Sequence, residues 1–430
     1  MNMTLSKRVS HLAVIFMTFF FLQGYAQPDE TAYHAISRLD YYTDEKTGEI
    51  VVYIPESKVK MEITIDLVFE FQFINRRFPV VPRGISSVPF SLELLRVGNN
   101  EVTVSFYEDE KWVDSRKVNV EIKPAVINAV KRDRASGCYS VEGERIYPLG
   151  LSCDWPVGNI KVEEYANYGL NMISPNWKAG RKGRKERFRF MDRCAALGIR
   201  VMYDLTALSG SSQSDREQEK KQKALTKEVN YFRDHPALLS WKLPGGMENE
   251  PMLALYYTLI KETDPYHPVS MDLPSPFDPE SNDGVSLSPE KARMLTYWKI
   301  IHYASSILHY FDDHQPITPA LSFTREEYLT VANEIVALQP YLCSGQAAPV
   351  VTHGHEGLYT LDLNYHGLFT ILAVNTTDNP MDIILTLPEF TDLTIKAELM
   401  FEDRLVEVKK GVIADRISPL GINIYQINVR

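Results

Sequence analysis

The sequence predicts an α/β core flanked on both sides by all-β regions, and three observations predict it. Between residues 135 and 345, apolar runs of strand length alternate with segments of helical periodicity, the order expected of a parallel sheet with helices packed outside it. Residues 27–125 instead hold short runs in which apolar and polar positions alternate, separated by turn residues, and residues 350–430 repeat that pattern. The first 26 residues fit neither pattern.

Those first residues read as a targeting segment. Lys7 and Arg8 precede an apolar run from Leu12 to Leu22 in which only Thr18 is polar, and Gly24-Tyr25-Ala26 reads as a small-residue cleavage site. The run is too short to cross a bilayer, so residues 1–26 are expected to be a cleaved signal peptide. A mature chain of 404 residues (430 − 26) would then be secreted or periplasmic. No Cys follows the run to carry a lipid, and nothing later resembles a membrane span.

Composition narrows the function classes. Hydrophobic residues make up 44% of the chain, enough for a large core. The formal net charge of −10 becomes −12 without Lys7 and Arg8, which argues against nucleic acid or an anionic membrane as partner. Four cysteines, Cys138, Cys153, Cys194 and Cys343, are too few and too scattered for a disulfide scaffold. Buried free thiols are the expectation, and a Cys138–Cys153 bridge the alternative.

In the N-terminal region, Ile50–Ile54 follows the turn signal Lys46-Thr47-Gly48, and Met61–Phe71 alternates with few breaks. Val102, Val104 and Phe106 alternate after Gly98-Asn99-Asn100, and Val118, Val120 and Ile122 do the same, so a β-sandwich is expected. A basic linker follows at Lys123–Arg134. The central region then reads as strands at Ile146–Cys153, Leu170–Ser174, Ile199–Leu205, Ala237–Trp241, Val269–Leu273 and Ser306–Phe311. Helices are expected at Val162–Tyr168, Glu186–Leu197, Gln218–Phe232, Met252–Glu262, Glu290–Tyr303 and Arg325–Leu338. Asp283–Ser288 is a candidate for one more short strand. At the C-terminus, Gly357–Asn364, Leu368–Asn375, Met381–Leu387, Ile395–Phe401 and Gly421–Ile427 read as strands of a second, smaller β-sandwich.

One tract carries more than periodicity. From His235 the sequence reads HPALLSWKLPGGMENEP, then a helical segment, then DPYHP. It resembles the clan of TIM-barrel glycoside hydrolases, in which a similar HP…W…NEP tract closes the fourth strand. VEGERIYPLGL, EEYANYGLNMIS and SPEKARMLTYWKIIHYASSILHYF resemble other pieces of such barrels. The resemblance implies a (β/α)8-type TIM barrel at 135–345, incomplete where strands six and seven belong. It also implies that the N-terminal sandwich is immunoglobulin-like.

The resemblance further implies a secreted hydrolase of polysaccharide or oligosaccharide, working without a cofactor or metal. The rival reading is a carbohydrate-binding or scaffold protein that kept the barrel and lost the chemistry. Glycoside hydrolysis needs two carboxyl groups across the scissile bond. Glu250 is implied as the acid, with Asn249 beside it in the substrate site. Glu250 lies four residues later than the clan pattern places its acid, and Asn249-Glu250-Pro251 also suits the first turn of a helix. Glu248 is the fallback. The second carboxylate is open among Asp312, Asp313, Asp272 and Asp204. Trp155, Trp177, Tyr203 and Trp241 fall at or near strand ends, where rings that stack on sugars would sit, although filling of the barrel core is the alternative.

Two further clusters stand out. Lys178, Arg181, Lys182, Arg184, Lys185 and Arg187 follow the second strand and would attract uronic-acid or sulfated glycans if they overhung the site, although charge runs usually face water. His353 and His355 have the spacing of one strand face, but two ligands do not make a metal site.

Overall fold

The computed structural model describes residues 32–54, 63–70, 73–78, 84–154, 162–209, 214–244, 250–271, 288–302, 306–311, 325–346, 348, 351–391 and 394–428. The expected signal peptide lies outside them.

Seven strands come first. β1 (His34–Ser37), β2 (Thr47–Ile54) and β5 (Gly84–Ser91) form one antiparallel sheet, in the order β1-β2-β5. The second sheet has the order β4-β3-β6-β7, from β3 (Ile63–Val68), β4 (Phe73–Phe78), β6 (Gly98–Glu108) and β7 (Lys111–Ile122). Period-two alternation sends Ile50 and Val52 from one sheet, and Ile65, Val104 and Phe106 from the other, into a shared core. The sequence expectation lacked β1, β4 and β5, whose Ser, Arg and Pro residues blur the alternation.

A small antiparallel sheet follows, in the order β10-β9-β8, from β8 (Val130–Arg132), β9 (Tyr139–Val141) and β10 (Glu144–Ile146). It occupies part of the expected linker.

The central sheet has six parallel strands in the order β15-β14-β13-β12-β11-β16. They are β11 (Leu149–Asp154), β12 (Met172–Asn176), β13 (Arg200–Asp204), β14 (Leu238–Leu243), β15 (Val269–Met271) and β16 (Ile307–Phe311). The connecting helices are α1 (Val162–Asn167), α2 (Arg184–Ala196), the short α3 (Thr206–Ser209), α4 (Asp215–Phe232), α5 (Glu250–Thr263), α6 (Pro289–Ile301) and α7 (Arg325–Leu342). Every strand and every helix expected in this region is present, with ends shifted by a few residues. The candidate strand at 283–288 lies outside the described residues save Ser288, whose hydroxyl caps α6 by accepting from Lys291 N.

The strand order carries the architecture. Four successive crossovers step the same way across the sheet, and parallel crossovers share one hand, so the helices gather on one face. The last strand then pairs with the free edge of the first. This is the winding of a TIM barrel, with the other face turned inward as the lumen. Among the described residues the two sheet edges are β15 and β16. Gly150 in PLGL is required by close approach, because a Cβ there would land on the Met172 carbonyl of the neighbouring strand.

The C-terminal strands differ from the expectation. All seven belong to one antiparallel sheet, in the order β17-β18-β23-β20-β21-β22-β19, rather than to two separate sheets. They are β17 (Leu358–Tyr365), β18 (Leu368–Asn375), β19 (Met381–Thr386), β20 (Thr394–Leu399), β21 (Arg404–Lys409), β22 (Val412–Ile417) and β23 (Ile422–Asn428). Only two residue pairs, Glu398 with Gln426 and Leu399 with Tyr425, join β20 to β23. So narrow a joint lets the sheet curl until Phe369 and Ile371 of β18 meet Leu385 of β19 and Val408 of β21 in one core. The opposite face of β18 and β23, through Leu372, Val374 and Ile424, packs with Tyr297, Trp298 and Ile335 of α6 and α7.

Candidate functional site

The two ends of the parallel sheet are unlike. At the end where the strands begin, Val130, Tyr139 and Val141 of β8 and β9 are buried against Met172, Met202 and Leu239. That contact plugs the lumen from below with apolar side chains. The site must therefore be sought at the C-terminal ends, where βα loops carry the chemistry of this fold.

Alternation along the strands decides which residues line the lumen. Leu149, Leu151 and Cys153 of β11, Ile173 of β12, Val201 and Tyr203 of β13, and Trp241 and Leu243 of β14 join the core shared with the helices. The intervening residues face inward: Ser152, Ser174, Met202, Ser240 and, nearer the mouth, Asn176, Asp204, Lys242 and Ser270. Cross-strand pairing aligns Ser152 with Ser174, Met202 with Ser240, Asp204 with Lys242, and Lys242 with Ser270. Asp154 pairs with Asn176 in the same parity. The hydroxyls of Ser174, Ser240 and Ser270 are buried and have no hydrogen-bond partner among the described residues. A buried hydroxyl without a partner costs stability and marks a place where another polar group belongs. Asp204 is nearly buried, and its Oδ1 accepts from Thr206 N at 2.7 Å, which starts α3.

Three of the expected sugar-stacking residues are corrected. Trp177, Tyr203 and Trp241 do not face the mouth; each is fully or almost fully buried on the helix side of the sheet. Tyr203 packs at 4.6 Å from both Trp177 and Phe232, ring centre to ring centre, and at 5.4 Å from Trp241. For Trp241 the physical cause is a bulge. Val201 pairs with Leu238 but Met202 pairs with Ser240, so Leu239 is the extra residue and lies with the lumen cluster. One inserted residue exchanges the faces of all that follow. Without the bulge, Trp241 would point into the barrel.

The motif around Trp241 is a structural network. Trp241 Nε1 donates to Asp264 Oδ2 at 2.7 Å, and His267 Nδ1 lies 2.8 Å from the same oxygen. Asp264 Oδ1 accepts from Tyr266 N and His267 N. Burial pushes the Asp264 carboxyl up, but the hydrogen bond and charge of His267, together with Trp241, outweigh it and leave it below the usual range. The same turn docks the N-terminal region: Tyr41 Oη donates to Tyr266 O at 2.6 Å, and Lys123 Nζ to Pro265 O at 3.0 Å. The tract HPALLSW…DPYHP thus ties β14 to the lower end of the barrel.

Glu250 is the first residue of α5, the helix after β14. Its backbone therefore sits on the C-terminal side of the sheet, in the first helical turn. Its side chain lies outside what is described, as do Glu248, Asn249, Asp272, Asp312, Asp313 and Trp155.

The basic cluster divides in two. Arg187 is buried and shapes the loop after β12: it donates to Lys182 O at 2.9 Å, to Lys178 O and Gly180 O, and to Tyr203 Oη at 2.9 Å. Arg184 and Arg187 each meet Glu228 of α4 at 2.7 Å, and Tyr203 Oη donates to Glu228 at 2.5 Å. Burial raises the Glu228 carboxyl, but Tyr203, Arg184 and Arg187 overcome it, and it rests below the usual range. Lys178, Arg181, Lys182 and Lys185 are exposed on the mouth side.

His355 Nε2 accepts from Ile384 N, so that imidazole is engaged in the C-terminal sheet. Among the described residues no group of three or more His, Cys, Asp or Glu could hold a metal. No described helix is long and apolar enough to cross a membrane.

Asn176, Lys242 and the three serines were not singled out from the sequence. Their signal was present in the alternation of the strands, and for Ser240 and Lys242 reading it also needs the position of the bulge.

No protein-family profile matches the chain, and no curated protein matches it. Among solved structures it is similar to a family 39 glycoside hydrolase from Bacteroides cellulosilyticus WH2, at 11% identity over 91% of this chain and 100% of that one, with a TM-score of 0.42. A cyclomaltodextrinase matches at 8% identity over 93% and 99%, with a TM-score of 0.47. A putative glycoside hydrolase from Bacteroides vulgatus ATCC 8482 matches at 11% over 92% and 98%, with a TM-score of 0.40. At such scores these likenesses add nothing to what the strand order establishes.

Proposed function

We propose that the protein takes up a polysaccharide or oligosaccharide at the C-terminal mouth of the barrel and hydrolyses it by carboxylate acid/base chemistry. The observation that carries this reading is the polar lumen: Asp204, Lys242, Asn176 and Ser270 at the strand ends, above the buried, unpartnered hydroxyls of Ser174 and Ser240. A ligand rich in hydroxyl groups matches such a lining. Glu250 is our choice for the proton donor, because its backbone follows β14 on the same end. Asp204 is our choice for its partner over Asp312 and Asp313, since it stands on the adjacent strand. Hydrolysis would require the two carboxyl groups to stand roughly 5–10 Å apart. The exposed lysines and arginine of the loop after β12 favour an acidic glycan.

The signal-peptide reading of residues 1–26 places this activity outside the cytoplasm. We read residues 27–125 as immunoglobulin-like, on their two-sheet order, and with 350–430 as braces for the barrel.

The test is release of reducing ends from a panel of neutral and acidic glycans, with binding measured in parallel. Glu250→Gln is expected to lower kcat by roughly 10²–10⁴-fold, the usual worth of a general acid, while leaving binding intact. Asp204→Asn keeps the acceptor for Thr206 N and removes the charge, so it should lower kcat without unfolding the protein. Wild-type turnover in both variants would sink the assignment.

A second reading, binding without hydrolysis, is favoured by one observation. Glu250 opens a helix, and the first turn favours an ionised carboxylate, whereas a proton donor must be held in its acid form. On that reading neither wild type nor Glu250→Gln turns over any glycan, and Lys242→Met weakens binding.

A further inference from the structure

Two cysteines 205 residues apart in sequence meet in the core, with Cys343 Sγ 2.7 Å from Cys138 Sγ. Both side chains are buried, and all four cysteines of the chain are free thiols here. The contact is well inside the roughly 3.5–4.0 Å of ordinary non-bonded neighbours. Cys138 precedes β9 in the sheet that plugs the barrel, and Cys343 directly follows α7. The expected alternative partner, Cys153, lies close enough to Cys194 of α2 to act on its thiol by charge.

The two backbones are held together independently of the sulfurs. Arg38 Nε meets Asp133 at 3.0 Å, and its Nη2 donates to Ser344 O at 3.0 Å. Arg145 Nε meets the same Asp133 at 3.3 Å, and its Nη1 donates to Ser344 O at 3.2 Å. Asp133 N in turn donates to Cys138 O at 2.9 Å. Two arginines and one fully buried aspartate thus clamp the Cys138 turn to the chain just after Cys343. On the Cys343 side a cavity of about 550 Å³ opens, lined by Arg145, Cys343, Gln346, Tyr365 and His366 among others.

We propose that Cys138 and Cys343 are a modification site that closes to an intramolecular disulfide, pinning the end of the last barrel helix to the plug sheet. The co-reactant is a low-molecular-weight disulfide admitted through the cavity. Cys343 gives up its proton and attacks one sulfur of that disulfide, releasing one small thiol and leaving a mixed disulfide. Cys138 gives up its proton and displaces the second small thiol, so the Cys138–Cys343 bond forms. The small disulfide gains two electrons and both protons; the protein loses them. Burial pushes the Cys138 thiol up, so the exchange starts at Cys343, which borders the cavity. Burial likewise pushes Cys194 up to about 12, which keeps it a thiol.

The full chain, reduced and unfolded, is refolded in a mixture of oxidised and reduced glutathione, where any pair of cysteines can compete. Titration in denaturant should find two free thiols in place of four. The intact mass should fall by about 2 Da, the two hydrogens given up. A digest should yield one linked peptide pair, containing Cys138 and Cys343, and reductant should lower the Tm by several degrees. Cys343→Ser should refold with all its remaining thiols free; if it fails to fold, the wild-type peptide map decides alone. Four free thiols after refolding, or a linked peptide containing Cys153 or Cys194, would overturn the proposal.

Discussion

The two faces of the parallel sheet are built on opposite plans. The helix-side face is large and aromatic: Trp177, Tyr203, Trp241 and Phe232 pack ring on ring, Tyr203 closes on Glu228 and Arg187, and Trp241 closes on Asp264. The lumen face is small and polar. Its Ser174, Ser240 and Ser270 hydroxyls have no hydrogen-bond partner among the described residues, where barrels of this kind usually fill the interior with branched apolar side chains. The helix-side face closes Tyr203 and Trp241 on buried charges, whereas the lumen face keeps the Ser174, Ser240 and Ser270 hydroxyls without a hydrogen-bond partner among the described residues. That difference separates residues that stabilise from residues available to a ligand.

The comparison breaks first at Trp241. Trp241→Ala removes a fully buried indole and the donor to Asp264, and should cost about 3–5 kcal/mol in chemical denaturation followed by circular dichroism. A loss under about 1 kcal/mol, with glycan binding abolished, would return Trp241 to the site. Next comes Glu228. Glu228→Gln leaves the buried Arg187 guanidinium without its counter-charge and should cost about 3 kcal/mol. The sign with pH follows from the depressed carboxyl. The unfolded chain takes up the proton first as pH falls, so the stabilisation is full above the unfolded carboxyl's range and disappears as pH drops through the folded value. The acid limb of the wild-type stability curve should therefore flatten in Glu228→Gln, and an unchanged limb would count against the network. The smallest effect belongs to the lumen. Ser240→Ala and Ser174→Ala remove hydroxyls that bond no described residue, so stability should stay within about 1 kcal/mol of wild type, or rise. Glycan binding should weaken in both. A larger destabilisation would mean these hydroxyls serve the fold, and the contrast between the faces would fail.

Much of the fold was legible in the chain. Six strands and six helices of the core could be placed from periodicity, because buried parallel strands are short apolar runs and the helices carry long amphipathic repeats. β1, β4, β5, β21 and β22 were not, since short strands or strands rich in Ser, Arg, Lys and Glu carry little apolar contrast. The site was less legible than the fold. The HP…W…DPYHP tract looked like the mark of an active site, yet its Trp241, Asp264 and His267 bond one another on the helix side of the sheet, away from the lumen. The residues that line the lumen, Ser174, Ser240 and Lys242, are individually unremarked in the sequence.

What the sequence by itself determined is the order of elements and the period of each, because both follow from local side-chain chemistry: β-branched and apolar runs for strands, spaced apolar residues for helices. What only the tertiary structure decided is which side of the sheet each residue faces. Leu239 and Ser240 both turn to the lumen because β14 carries one more residue than β13 between matched pairs, and everything after them exchanges faces. A register slip is set by the neighbouring strand, and no residue in β14 announces it. The same holds for Cys138 and Cys343, which the chain separates by 205 positions and the winding of the barrel brings into contact.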